Sequence, residues 1–292
     1  MNSMLYLIAI LCLSQAASLA RLAHAPPEAI GFWRLLFASL AMALIAIFQK
    51  ELRSVWQDIR TKSLLYPSLS GFFFFLHLWT YKYSAINTTI ANCMIIFAIN
   101  PLFTAAGATV FLKEHFQKKL IFAYILAVFG IYQLVHHNLR FDSDYLWGDI
   151  SALFSAVLFS AYVLTGRKAR EIHTTKGYTF LVYGLASFCF LTLALVKKTE
   201  LTNYPAQTWM AIAGLVLFPT LLGHALFSYL MKHMNLNWMS CGKLIEPVLS
   251  SIVAIWLFQE NLTTSTWIAF GFTSISVLIL FSPWEKMKRS RS

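Results

Sequence analysis

Residues 99–114 (INPLFTAAGATVFLKE) return as residues 245–260 (IEPVLSSIVAIWLFQE) after an offset of 146, half of this 292-residue chain. Ile99/Ile245, Pro101/Pro247, Ala108/Ala254 and Glu114/Glu260 are identical, and most other pairs match in size or polarity. Each copy sets a proline inside an apolar stretch and a glutamate at its end. Two copies of one apolar unit in a single chain mark the repeat architecture of membrane carriers. Composition agrees. The chain is 58% hydrophobic and only 12% charged, where a soluble domain carries about 25% charged residues. Its mean hydropathy is +0.63.

Apolar runs long enough to span about 30 Å of hydrocarbon fall near 3–20, 28–48, 64–82, 88–112, 120–136, 147–165, 178–196, 208–230, 238–258 and 265–283. The fold class expected is therefore all-α integral membrane, with ten transmembrane helices as two inverted five-helix repeats. The inversion follows from the odd number of spans per copy, which makes the copies cross in opposite senses. The first repeat occupies 1–138, a polar linker 139–146, and the second repeat with a basic tail 147–292. A signal-peptide reading of the first segment is disfavoured, because its start carries no Lys or Arg. Its removal would also break the five-plus-five symmetry.

Lys and Arg set the orientation. With the N-terminus inside, the cytoplasmic loops and tail hold sixteen, from Lys50 and Arg53 to Arg291. The opposite side holds five: Arg21, Lys82, Arg140, Lys197 and Lys198. This asymmetry predicts both termini in the cytoplasm, in a multi-pass protein of a bacterial inner membrane. It also accounts for the net charge of +11 without a nucleic-acid partner. Cys12, Cys93, Cys189 and Cys241 show no CxxC spacing, so neither a zinc site nor a disulfide framework is expected.

The stretch PEAIGFWRLLFASL (Pro27–Leu40), then INPLF…LKE, GDISALFSAVLFSAYVL (Gly148–Leu164) and IEPVLSSIVAIWLFQENLT together resemble the EamA-type drug/metabolite transporter superfamily. The resemblance runs over nearly the whole chain. It implies a central cavity lined by helices 1–4 and 6–9, with helices 5 and 10 at the periphery. It implies cargoes such as amino acids, other small metabolites, nucleotide sugars or phosphorylated sugars. Most bacterial relatives export. The second copy lacks a counterpart of the "FWR" of helix 2.

Charges inside a bilayer are costly, so each intramembrane polar group is a functional candidate. Lys243 and Glu246 lie three residues apart on one helical face. Pro247 has no N–H, so the Lys243 carbonyl is expected to lose its helical donor and become a free acceptor. The pair reads either as a substrate site or as a self-neutralising structural ion pair. Arg34 either snorkels outward towards Glu28 or faces the cavity as a carboxylate or phosphate fork. His77 and His224 are candidate titrating groups or packing residues. Asn92 and Asn100 share a face, and Asn100 precedes Pro101 as Glu246 precedes Pro247. Gln15, Ser18, Ser155 and Tyr162 are weaker cavity candidates. Glu114 and Glu260 close helices 4 and 9 and suggest gates or caps for a neighbouring helix N-terminus.

The expectation is a secondary transporter, exporting small zwitterionic or anionic metabolites such as amino acids by alternating access. Its partners would be the metabolite, the lipid bilayer and a coupling proton, in a monomer or weak homodimer. No cofactor or metal is called for, since no GxxxxGK[ST], HExxH or GxSxG motif is present. Two alternatives stand beside it: an uptake or exchange carrier for a nucleotide-like or phosphorylated solute, and an integral membrane enzyme.

Overall fold

A computed structural model describes residues 2–88, 93, 96–115, 118–135, 146–258 and 264–281, and every regular element among them is helical. Asn92, Glu260, the linker up to residue 145 and the tail from residue 282 lie outside the described residues. The elements are α1 (Asn2–Leu13), α2 (Ala16–Leu22), α3 (Pro27–Phe48), α4 (Leu52–Thr61), α5 (Leu65–Asn87), α6 (Asn100–Phe111) and α7 (Lys118–Val135). The second half carries α8 (Leu146–Ile172), α9 (Thr175–Val196) and α10 (Ala206–Leu215). A π-helical stretch (Val216–Ala225) follows, then α11 (Leu226–Leu230) and α12 (Leu236–Gly242). A 3-10 turn (Lys243–Ile245) then leads into α13 (Glu246–Phe258), and α14 (Thr264–Phe281) follows.

Among the described residues, five stretches are long and apolar enough to cross a membrane: Asn2–Leu22, Pro27–Phe48, Leu146–Ile172, Thr175–Val196 and Ala206–Leu230. The other expected spans coincide with α5, α6, α7, α12–α13 and α14; α7 and α14 are apolar helices of 18 residues each. α5 has the length, but His77, Thr80 and Lys82 dilute it. α6 and α13 are short because each begins afresh at a proline, which removes an N–H from the ladder of the preceding turn. Two boundaries differ from expectation. α8 continues to Ile172 rather than ending near 165, so Arg167 and Arg170 are helical. α4, expected only as loop, is amphipathic and buries Val55 and Asp58 at i, i+3.

The two halves interleave. α5 packs along α8, α3 along α9, α7 along α14, α6 against α12, and α1 against the π-helical stretch. Between them lies a core of fully buried rings, including Tyr6, Phe74, Phe159, Tyr162, Tyr178, Tyr183 and Phe190. Hydroxyls knit the helices where apolar packing alone gives no direction. Ser70 donates to the Tyr162 carbonyl (3.1 Å) and pairs with the Tyr178 hydroxyl (2.7 Å), joining α5, α8 and α9.

Close approach decides the α5–α8 contact. A Cβ on Gly148 would lie 2.6 Å from the Asn87 carbonyl oxygen and 2.8 Å from Thr88 Cβ, and backbone cannot yield as a side chain can. Gly148→Ala is expected to cost about 1–3 kcal/mol in a denaturant titration. Gly271→Ala, with nothing within 4 Å of its Cβ, should stay within about 0.5 kcal/mol of the parent. Equal effects at the two positions would refute the close-packing account.

The chain direction assigns two ends to the bundle. At the end bearing α4, polar ties cross between the halves. Asp58 accepts from the Thr174 backbone N–H (2.8 Å) and hydroxyl (2.6 Å) and pairs with Lys62. Glu114 accepts from the Leu236 N–H (2.6 Å) and pairs with Arg167 (3.1 Å). Arg170 donates to the Ser228 carbonyl (3.1 Å). At the opposite end, Glu28 pairs with Lys197 (2.6 Å) and accepts from Trp79 (3.0 Å).

Candidate substrate-binding cavity

Four helix interruptions surround one cavity, and three of them share a cause. Pro101 has no N–H for the Phe97 carbonyl, and the Asn100 side-chain amide supplies the missing donor (2.7 Å). Pro219 likewise deprives the Leu215 carbonyl, which receives the Thr220 hydroxyl instead (2.6 Å). Pro247 deprives the Lys243 carbonyl. The expected free acceptor there is not formed, because the Glu246 backbone N–H donates to it through the 3-10 turn. Thus the first repeat spends an asparagine side chain on its orphan carbonyl, whereas the second uses backbone. The Glu246 carboxylate is left for other work. The fourth interruption, at Ser14–Gln15 between α1 and α2, leaves the Ser14 carbonyl to accept from Ser250 (2.7 Å).

The cavity measures about 70 Å³. Its wall includes Arg34 (α3), His77 (α5), Phe97, Phe159 (α8), Phe190 (α9), His224 (π stretch), and Lys243 and Glu246 at the α13 start. Among the described residues, neither α7 nor α14 contributes to the lining. A vestibule of about 640 Å³ adjoins it, shares Ala17, Ala20, Tyr81 and Lys82 with it, and extends to exposed Arg21, His24 and Ile86. The cavity therefore communicates with the end opposite α4.

Five of the sequence candidates converge on this wall: Arg34, His77, His224, Lys243 and Glu246. Lys243 Nζ lies 2.8 Å from Glu246 Oε2 and 4.1 Å from the Phe159 ring centroid, with Phe227 on a second side at 5.9 Å. Such a cation is held by one carboxylate and two π faces. Arg34 does not reach Glu28, which is committed to Lys197 and Trp79. It faces the cavity, its Nε donating to Thr220 Oγ1 (2.7 Å) while Nη2 is buried without a partner. The histidines differ. His77 Nδ1 lies 2.8 Å from Ser155 Oγ, and its ring stacks on Phe97 at 5.3 Å. His224 Nδ1 is buried with no partner, and its ring stands edge-on to Phe74 at 4.8 Å.

Other candidates sit elsewhere. Asn100 is buried off the wall and serves the Phe97 carbonyl. Ser155 orients His77, and Tyr162 stacks on Phe74 (4.6 Å). Glu114 takes the N-terminal N–H of α12, where a carboxylate complements the helix dipole. Three contributors escaped the sequence reading. Lys82, assigned to an outer loop, lies at the junction of cavity and vestibule with Nζ donating to the Ala20 carbonyl (2.6 Å). Thr220 anchors Arg34, and its signal was the Pro-Thr step of FPTLLGH. Phe159 cushions Lys243, and nothing in its sequence neighbourhood marks it.

A family model described as "EamA-like transporter family" matches residues 3–135 and, a second time, residues 146–282. The chain belongs to that family. An uncharacterized transporter of Bacillus subtilis, YyaM, is 26% identical over 236 residues, covering 78% of this chain and 76% of its own. An uncharacterized transporter of Archaeoglobus fulgidus is 26% identical over 243 residues, covering 83% and 84%. A solved crystal structure superposes with a TM-score of 0.80 at 15% identity over 96% of both chains, a likeness of fold. As an EamA-like transporter with helices of membrane-spanning length, the chain is a multi-pass membrane protein.

Proposed function

We propose that this EamA-like transporter is a secondary carrier of small zwitterionic or anionic metabolites, amino acids among them. It works by alternating access in the bacterial inner membrane, with both termini cytoplasmic. The observation that carries the reading is one cavity walled by both halves, in which, among the described residues, Arg34, Lys82 and Lys243 share the wall with one carboxylate, Glu246. A cation excess inside a membrane favours an incoming anion. Interrupted helices meeting at a repeat interface are where carriers hold their cargo.

Ten crossings in two inverted repeats are part of the proposal, and the pairing of helices supports them. Number the expected spans 1 to 10. The cross-half pairs include 3 with 6, 2 with 7, 5 with 10, 4 with 9 and 1 with 8, and the contact of 3 with 7 is matched by that of 2 with 8. Exchanging the halves returns the same list, as a two-fold axis requires. Lys50 and Lys198 add to this. Each follows the end of an equivalent helix, α3 or α9, in the left-handed region (φ 57° and 53°). In each case the next residue's N–H closes back on the helix at 2.8 Å. With the proposed orientation, the vestibule faces outward and the Asp58 and Glu114 ties close the cytoplasmic side. Export then requires those ties to open. The cavity, at about 70 Å³, is far narrower than the 640 Å³ vestibule outside it, which favours a small metabolite over a nucleotide-like one.

Counterflow in proteoliposomes tests the reading. Vesicles preloaded with an unlabelled amino acid mixture should accumulate a labelled member saturably, and vesicles preloaded with neutral polyols should not accumulate labelled polyol. Conductance without saturation would indicate a channel, and a chemically altered solute would indicate an enzyme. Either result would overturn the proposal.

A further inference from the structure

We infer that Arg34 and His224 form the seat for a carboxylate group of the transported solute, apart from the Lys243–Glu246 pair. The inference rests on the carrier reading above and names the recognised group and the residues that take it. Lys243 already has what a buried cation needs: a carboxylate at 2.8 Å and an aromatic face at 4.1 Å. Arg34 does not. It is 6% exposed, its Nε is spent on Thr220, and Nη2 has no acceptor. No acidic side chain among the described residues pairs with it. A buried guanidinium without a counterion is an unfavourable arrangement that an incoming oxyanion relieves.

His224 supplies a second idle group on the same wall. It is 5% exposed, and its Nδ1 has no partner. Thr220 and His224 are four residues apart in the π-helical stretch, and Arg34 is fastened to the first of them. The cause of this placement is Pro219. It frees the Leu215 carbonyl, that carbonyl takes the Thr220 hydroxyl proton, and the hydroxyl's remaining lone pair holds Arg34 Nε. The guanidinium is thereby fixed with Nη2 unused. The free N–H groups of Arg34 Nη2 and one imidazole N–H match the two oxygens of a planar carboxylate. A phosphate monoester carries more charge and more acceptor oxygens than these donors serve.

The test uses the purified full chain in detergent and follows thermal unfolding at constant chloride. Matched pairs are added: acetate and acetamide, L-leucine and L-leucinamide, succinate and succinamide. At least one carboxylate should raise Tm while its amide, at equal concentration, does not. Arg34→Lys and Arg34→Gln should weaken that carboxylate about 30-fold or more, and His224→Gln should weaken it less. Arg34→Met should leave the unliganded Tm at or above the parent, because it removes a charge with no partner, whereas a purely structural arginine would lower it. Should Arg34→Gln fail to fold, Thr220→Val tests the same seat by releasing Nε, and the carboxylate preference should fall.

Equal stabilisation by carboxylate and amide, no stabilisation by any carboxylate, or retention of the preference in Arg34→Lys would each overturn the inference. Its failure is distinguishable from failure of the carrier reading. Counterflow of a neutral solute defeats the seat and leaves a carrier. Carboxylate binding without counterflow of any solute does the reverse.

Discussion

Replacing Lys243 with Met and Glu246 with Gln together should yield a folded protein that has lost transport. Each single change leaves a partner behind. Glu246→Gln strands Lys243, which is 4% exposed, and is expected to cost about 3 kcal/mol, the low end for a broken buried pair because Phe159 still faces the ammonium. Lys243→Met leaves Glu246 beside the cavity, where it is half-buried, so the loss should be smaller. The double variant removes both charges, and most of the stability should return, giving a coupling energy of about 2 kcal/mol in a double-mutant cycle. Transport should behave otherwise. Loss of about 3 kcal/mol of site interaction corresponds to about 100-fold in binding, so counterflow by the double variant should fall by about that factor. A double variant that folds and transports normally would reduce the pair to a structural tie between the 3-10 turn and α13.

Asp58→Ala should be the most damaging single change at the α4 end. The Asp58 side chain is 1% exposed and is held by three donors: the Thr174 N–H, the Thr174 hydroxyl and Lys62. It stands at the N-terminus of α9, where the Thr174 hydroxyl also caps the Gly177 N–H (3.1 Å). Its loss removes a charge-assisted set of hydrogen bonds and orphans a helix-terminal donor, at about 2–4 kcal/mol. Gly177→Ala should strike the same contact from the other side, since its Cβ would fall 2.2 Å from Asp58 Oδ2. Acid should reproduce the loss. Burial pushes the Asp58 carboxyl up, but the hydrogen bonds from Lys62 and Thr174 outweigh it and hold it below the usual carboxylate range. A carboxyl depressed in the folded state contributes fully above its unfolded value, about pH 4. The contribution disappears as pH falls through the lowered folded value. The Tm gap between the parent and Asp58→Ala should therefore be constant from pH 7 to about 4 and narrow below it. A gap that narrows between pH 7 and 5 would contradict this assignment.

The sequence by itself determined a helical membrane protein made of two related halves, and most of the charged cavity groups. Both are readable because they rest on local quantities. A bilayer demands long apolar runs, so an ionisable group within one stands out: Arg34, His77, His224, Lys243 and Glu246 all stood out in this way. The paired prolines at 101 and 247 likewise announced interrupted helices, since a missing N–H is a property of one residue.

Only the tertiary structure decided what those groups do. Whether Arg34 turns to Glu28 or to the cavity depends on Lys197, which is 163 residues away in sequence and takes Glu28 for itself. The two histidines look alike along the chain, yet Ser155 satisfies His77 while nothing satisfies His224. The orphan carbonyls left by Pro101, Pro219 and Pro247 were predictable, but their new donors were not. An asparagine amide, a threonine hydroxyl and a backbone N–H each fill the same vacancy. α4 went unrecognised because its apolar face is too short to register until Asp58 finds the start of α9. The period and polarity of a sequence report which surface a residue prefers. Which partner it meets is settled by long-range packing of helices from opposite halves, and that pairing carries no local signal.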